Sequence, residues 1–197
     1  MKINQAEFVK SATRRSHFPA DVLPQAAFAG RSNVGKSTLL NALARHRQLA
    51  RASRTPGRTQ QINFFIINGS FYFVDLPGYG FAKAPLSVKK TWSDMIGEYL
   101  KDNASLRVLF WLLDARRVPS EGDREMLALM ETHQIPFAVA VTKADKLSRG
   151  ALARQVEVIR KALSLPEEVP FIPCSAKTGA GLDDLLRVLD AGLNPQE

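Results

Sequence analysis

GRSNVGKST, residues 30–38, places glycine at Gly30 and Gly35, lysine at Lys36 and a hydroxyl at Ser37. This is the pattern G-x-x-x-x-G-K-[ST] of a phosphate-binding loop. The spacing has a mechanical meaning. Gly30 and Gly35 let the backbone curl so that its N–H groups converge on an anion. A helix beginning near Lys36 adds unpaired N-terminal donors and the positive end of its dipole. In that arrangement Lys36 reaches the β- and γ-phosphates and the Ser37 hydroxyl ligates magnesium. Taken alone, the motif could also be a glycine-containing turn before a helix. Its flanks argue otherwise. The apolar run Ala26, Ala27, Phe28, Ala29 precedes it, and Leu39, Leu40, Ala42 and Leu43 follow at helical spacing. That is the strand–loop–helix setting the motif needs. Gly30, Arg31, Ser32, Asn33, Val34, Gly35, Lys36, Ser37 and Thr38 are all candidates to line the phosphates.

The chain has 197 residues, 45% of them hydrophobic and 23% charged, which suits one soluble domain with a real core. Its single cysteine, Cys174, cannot form an internal disulfide, and no Cys or His spacing resembles a metal cage. The N-terminus lacks the apolar core of a signal peptide. The longest strongly apolar run, Val108 to Leu113, is far too short to span a bilayer. The expectation is a cytoplasmic monomer with no membrane association. The net charge of +8 suggests a polyanionic partner. Between Val22 and Val74 there is no Asp or Glu, while Arg31, Lys36, Arg45, Arg47, Arg51, Arg54 and Arg58 fall there. Nucleotide phosphates need only a few of these.

The remaining pattern alternates strands and helices. Residues 1–23 read as an irregular leader with an edge strand near Phe8 and Val9, and residues 24–193 as a single nucleotide-binding domain. Residues 24–30 form the first strand and 36–45 the first helix. Residues 46–58 carry Pro56-Gly57 and read as a loop. Gln61–Ile67 and Phe71–Asp75 flank Asn68-Gly69, a hairpin turn signal, so these two strands are antiparallel. Val88, Trp92, Met95, Ile96 and Tyr99 mark one helix face. Leu106–Leu113 is a strand buried on both faces. Ser120 and Asp123 form a capping box before a helix with Met126, Leu127 and Met130. Ile135–Val141 and Val169–Cys174 are further strands. Leu152, Val156, Ile159 and Leu163 face the core from one helix, and Leu182, Leu185, Leu186 and Leu189 from the last. The fold expected is an α/β, three-layer P-loop NTPase fold. Its doubly wound, mostly parallel sheet holds one antiparallel strand, and ligands sit beyond the strands' carboxyl ends.

Three more motifs fall at such ends. In DLPG, Asp75 can hold magnesium through water. Leu76 and Pro77 shape the turn, and Gly78 can offer its N–H to a γ-phosphate and swing when that phosphate leaves. In TKAD, Thr142 to Asp145, the Asp145 carboxylate can accept from guanine N1–H and the exocyclic amine, a pair that adenine cannot supply. Lys143 can lie along the base and brace the phosphate loop, with Ala144 between them. In the run beginning Cys174, Ser175, Ala176, backbone donors can reach guanine O6. Cys174 itself is a small buried residue and not a nucleophile.

Together these stretches resemble the TRAFAC-class GTPases of the Era/EngA type. More closely, the sequence is similar to the EngB family (also called YihA or YsxC). The carrying stretches are GRSNVGKST, TPGRTQQINFF, FVDLPGYGFAK, LLDARRVPSEGD and TKADK, and the similarity covers about residues 6–190. The resemblance implies GTP and GDP as ligands and magnesium as cofactor. It implies a first switch over 46–58, with Thr59 as a second magnesium ligand and Gly57, Arg58, Gln60 and Gln61 lining the nucleotide. It further implies a bacterial GTPase acting on large (50S) ribosomal subunit precursors and their rRNA, linked to cell division and septation.

Phosphoryl transfer here would rest on positioning and charge, with Lys36, Thr59 and Gly78 as the principal groups. A Ras-like enzyme places a water-orienting Gln after D-x-x-G, and this chain has Tyr79. Slow intrinsic hydrolysis is therefore expected, raised by a partner or by potassium near Asn33. Asn33 equally suits a tight loop. Thr142, where the general pattern has Asn, is expected to weaken the brace on the phosphate loop. Arg116 and Arg117 are plausible RNA contacts. Two rival readings are a metabolic P-loop kinase, which would need a second substrate pocket, and a membrane-associated GTPase.

Overall fold

The computed structural model describes residues 1–46, 48–50, 61–80 and 86–194, with backbone alone at 86–89. Seven strands form one sheet: β1 (Ala6–Ala12), β2 (Gln25–Gly30), β3 (Ile62–Ile67), β4 (Phe71–Asp75), β5 (Leu106–Asp114), β6 (Phe137–Thr142) and β7 (Phe171–Pro173). Their spatial order is β1-β3-β4-β2-β5-β6-β7. β3 runs antiparallel to both β1 and β4, and the other neighbours are parallel. The helices are α1 (Lys36–Leu43), α2 (Leu86–Leu100), α3 (Glu121–Thr132), α4 (Arg149–Ala162) and α5 (Leu182–Leu193). This is the doubly wound α/β architecture expected.

The period-2 alternation of the strands sorts side chains into two cores. In β5, Leu109, Trp111 and Leu113 face one layer, with Trp92, Ile96, Met126, Met130 and Ile159 of α2, α3 and α4. Val108, Phe110 and Leu112 face the other, with Leu39, Leu40, Leu185 and Leu189 of α1 and α5. Central strands covered on both faces must be apolar throughout, which is why β2 is buried at every position.

Turn chemistry sets the register. Asn68 and Gly69 both take positive φ, 51° and 65°, as a two-residue hairpin with the strands' own twist demands. The Asn68 side chain accepts from the N–H groups of Asn4 and Gln5 at 2.9 and 3.1 Å and donates to Lys2 O at 2.9 Å. The first residues are thereby joined to the β3–β4 turn, and β1 extends the same sheet. Residues between β1 and β2 are also tied down. Tyr72 Oη donates to Asp21 at 2.8 Å, and Phe18 packs against Phe64 and Tyr99.

The parallel strands deliver Gly30, Asp75, Asp114, Thr142 and, just past β7, Cys174 to one edge of the sheet. Gly181 shapes the last of these connections. It N-caps α5 at φ 72°, and an added Cβ would collide with the Pro173 carbonyl and lie 3.1 Å from Cys174 Cα. Left-handed backbone plus that collision predicts that Gly181→Ala lowers stability by at least about 2 kcal/mol. Chemical denaturation with GDP absent measures this directly. A loss of a few tenths would show that the Cys174–Gly181 turn does not need glycine.

Candidate functional site

The loop Gly30–Gly35 closes through a Val34 N–H bond to Arg31 O at 3.1 Å and opens into α1 at Gly35, which has φ 106°. Only glycine takes that conformation without strain. No side chain caps α1, so its first N–H groups stay available for an anion. The Lys36 ammonium pairs with Asp75 at the end of β4, and both side chains are 11% exposed. Ser37 lies in the first turn of α1. Asn33 is exposed at φ 65°, so the tight-loop role open to it is realised.

Beside the loop, Lys143 sits at φ 60° and its ammonium donates to Asn33 O at 2.7 Å and to Asp114 Oδ2 at 2.9 Å. The expected brace from Lys143 to the phosphate loop is therefore present. Thr142 braces the loop as well, with Oγ1 2.8 Å from Val34 O. The buried Thr142 hydroxyl thus makes its own contact to the loop carbonyl. Asp114 was not among the sequence candidates. It accepts from Lys143 and, through both oxygens, from Arg116 at 2.9 and 2.7 Å. Burial alone would raise its pKa, but these hydrogen bonds outweigh that and hold the carboxyl well below the usual range. The available signal was the one that found Asp75 and Asp145: an acid just after an apolar strand. Arg116, expected as an RNA contact, pairs with Asp114 while its side chain stays 42% exposed, and Arg117 is exposed beside it.

Asp145 lies at the surface, with its side chain 14% exposed. Its Oδ1 accepts from Ser175 Oγ at 2.8 Å, and Lys146 lies 3.6 Å from Oδ2. The Ser175 hydrogen bond is the main cause holding its pKa below the ordinary value. The Ser175 N–H, expected to face guanine O6, instead donates to Ala180 O at 2.9 Å. The Ser175 hydroxyl is directed at Asp145 instead. Cys174 is fully buried with its thiol pushed up to about 12 by desolvation, so it is inert packing.

A cleft of about 410 Å³ runs along the phosphate loop from Lys143 past Asn33 and Arg31 to Arg117. Among the described residues no group of three His, Cys, Asp or Glu could hold a metal alone. A magnesium ion held by Ser37 and Asp75, with phosphate and water oxygens, fits that sparse donor set. Gln61 is exposed just before β3, and Leu76, Pro77 and Gly78 follow β4 directly. Gly57, Arg58, Thr59 and Gln60, with most of the expected first switch, lie outside the described residues.

A family model described as 50S ribosome-binding GTPase matches residues 25–143. A second, for the GTP-binding domain of elongation factor Tu, matches residues 100–195. The chain is 46% identical over 200 residues to a probable GTP-binding protein EngB of Heliobacterium modesticaldum, covering 100% of this chain and 98% of that protein. With its relative from Syntrophus aciditrophicus, also named a probable GTP-binding protein EngB, identity is 50%, covering 94% of both chains. The chain belongs to the EngB family of GTP-binding proteins. A crystal structure of a probable engB protein superposes with a TM-score of 0.72 at 28% identity, covering 87% of this chain and 100% of that one. An Era variant of Aquifex aeolicus bound to GDP and aluminium fluoride gives 0.67 at 26%, covering 88% and 57%. The EngB assignment makes the chain a GTP-binding GTPase.

Two predictions follow from the Asp145 geometry. Asp145→Asn shifts preference from guanosine to xanthosine nucleotides, and Ser175→Ala weakens GDP binding roughly 3- to 10-fold, the worth of one hydrogen bond. Competition between GDP and XDP checks both, and unchanged affinities would remove Asp145 from the base site. Because the folded pKa of Asp145 is depressed, its ionised form is complete above the unfolded value of about 3.9 and is lost only as pH falls below it. GDP affinity should thus stay flat between about pH 8 and 5 as far as Asp145 is concerned.

Proposed function

We propose that this EngB protein is a GTP-dependent switch in the assembly of the large (50S) ribosomal subunit. It binds the precursor particle or its rRNA with GTP and leaves after hydrolysis. The carrying observation is charge placement. No acid occurs between Val22 and Val74, and that stretch contains the phosphate loop. Exposed Arg117 borders the same cleft. Cations carried by the same stretch of chain as the phosphate loop let the γ-phosphate gate contact with a polyanion. The match to a model described as 50S ribosome-binding GTPase supports the same partner.

In this reading Ser37, Thr59 and Asp75 would hold magnesium, which would supply charge neutralisation at the phosphates, and the chain's own groups act by positioning. The protein is a cytoplasmic monomer whose ribosomal role underlies normal cell division and septation. Residues 24–193 are the GTP-binding domain and 1–23 its edge segment. Intrinsic hydrolysis is slow, since Tyr79 is buried and offers no side chain to the attacking water. A ribosomal partner or a potassium ion near Asn33 supplies what is missing.

Pull-down from bacterial lysate tests the switch. Immature large subunits should be captured with a non-hydrolysable GTP analogue and not with GDP, and capture should fall steeply with added salt. Equal capture in both nucleotide states contradicts it. Hydrolysis measured in matched potassium and sodium buffers tests the cation, and equal rates would exclude it.

A further inference from the structure

The residue in the water-orienting position has a different, buried task. Tyr79 is 4% exposed, and its ring packs edge-on against Trp92 at 5.4 Å between centroids. Its hydroxyl donates to Asp123 Oδ1 at 2.8 Å and accepts from Trp111 Nε1 at 2.7 Å. Asp123 is 2% exposed, and its other oxygen, Oδ2, accepts from Ser120 N and Ser120 Oγ at 2.7 and 2.6 Å, capping α3. A capping box needs only one of those carboxylate oxygens. The second is committed to the loop that follows β4.

The main chain of that loop lies on the phosphate loop. Ser32 N–H donates to Tyr79 O at 2.9 Å, and Tyr79 N–H approaches Gly30 O at 3.4 Å. Trp92 Nε1 donates to Pro77 O at 2.9 Å. Residues 77 and 79 are thus fixed on both sides of Gly78, whose own N–H has no hydrogen-bond partner within the described chain. A fully satisfied buried network holds one arrangement, since any displacement strands polar groups away from water. Burial also raises the Tyr79 pKa well above its usual value, so the hydroxyl remains a donor at working pH.

We infer that Tyr79 and Asp123 are positioning residues for GTP hydrolysis: the buried Trp111–Tyr79–Asp123 chain holds the Gly78 N–H preset against the phosphate loop, ready for a γ-phosphate. The site then discriminates GTP from GDP through an anchored backbone donor, and Tyr79 replaces a mobile glutamine with a rigid tether to α3. The inference rests on the GTPase activity and not on the ribosomal reading.

Tyr79→Phe removes the hydroxyl and keeps the ring against Trp92. Its Kd for GDP should be unchanged, its Kd for a non-hydrolysable GTP analogue should rise about 5- to 30-fold, and kcat should fall by a similar factor. The chain's two tryptophans, Trp92 and Trp111, both touch this loop. Because the loop is preset, their emission should be the same in GDP- and analogue-bound native protein, and Tyr79→Phe should introduce a difference between the two. Equal loss of affinity for both nucleotides, or no change in either affinity and in kcat, overturns the inference. If Tyr79→Phe fails to fold, Asp123→Asn keeps the side chain's shape while replacing one carboxylate acceptor by an amide donor, and the same pattern of affinities and kcat decides the matter.

Discussion

The Lys143 ammonium lies between Asn33 O, at 2.7 Å, and Asp114 Oδ2, at 2.9 Å. This contact joins the two halves of the nucleotide site. Asn33 belongs to the phosphate loop after β2, and Lys143 follows β6, two residues before Asp145. Thr142 reinforces the joint from below through Val34 O, and Arg116 keeps Asp114 ionised and in place. A guanine nucleotide must touch both halves at once, so its affinity depends on their spacing being set before it arrives. Preorganised polar contacts perform this better than flexible loops, because ordering costs are already met in folding.

Most of this site was legible in the chain because its motifs are local. GRSNVGKST needs only the strand before it and the helix after it to declare a phosphate site. DLPG and TKAD declare themselves at the ends of apolar runs. The hairpin at Asn68-Gly69 follows from backbone conformation alone. What the sequence hid are pairings between distant residues. Asp114 and Lys143 are separated by 29 positions, and Tyr79 and Asp123 by 44. No periodicity relates them, so Asp114 passed unnoticed and Tyr79 registered only as a missing glutamine. Ser175 lies beside Asp145 as its place after the last strand suggests, but its N–H is taken by Ala180 O and its hydroxyl donates to Asp145. Thr142 was judged against a commoner asparagine, while burial brings its short hydroxyl to the loop carbonyl.

The loop after β4 completes the picture. Its backbone lies against the phosphate loop, its Pro77 carbonyl is held by Trp92 of α2 and its Tyr79 hydroxyl by Asp123 of α3, so Gly78 is anchored from two helices. Beside it runs the basic cleft that ends at Arg117. The groups around Gly78 are thus committed to holding one geometry.

Titration calorimetry of GDP into Lys143→Ala, compared with the native chain, tests the joint most directly. Loss of the Lys143 bridge should weaken GDP binding by at least about tenfold, since a charge-assisted contact between the two halves is removed. Unchanged GDP affinity in a folded Lys143→Ala protein would show that the base and phosphate halves are positioned independently.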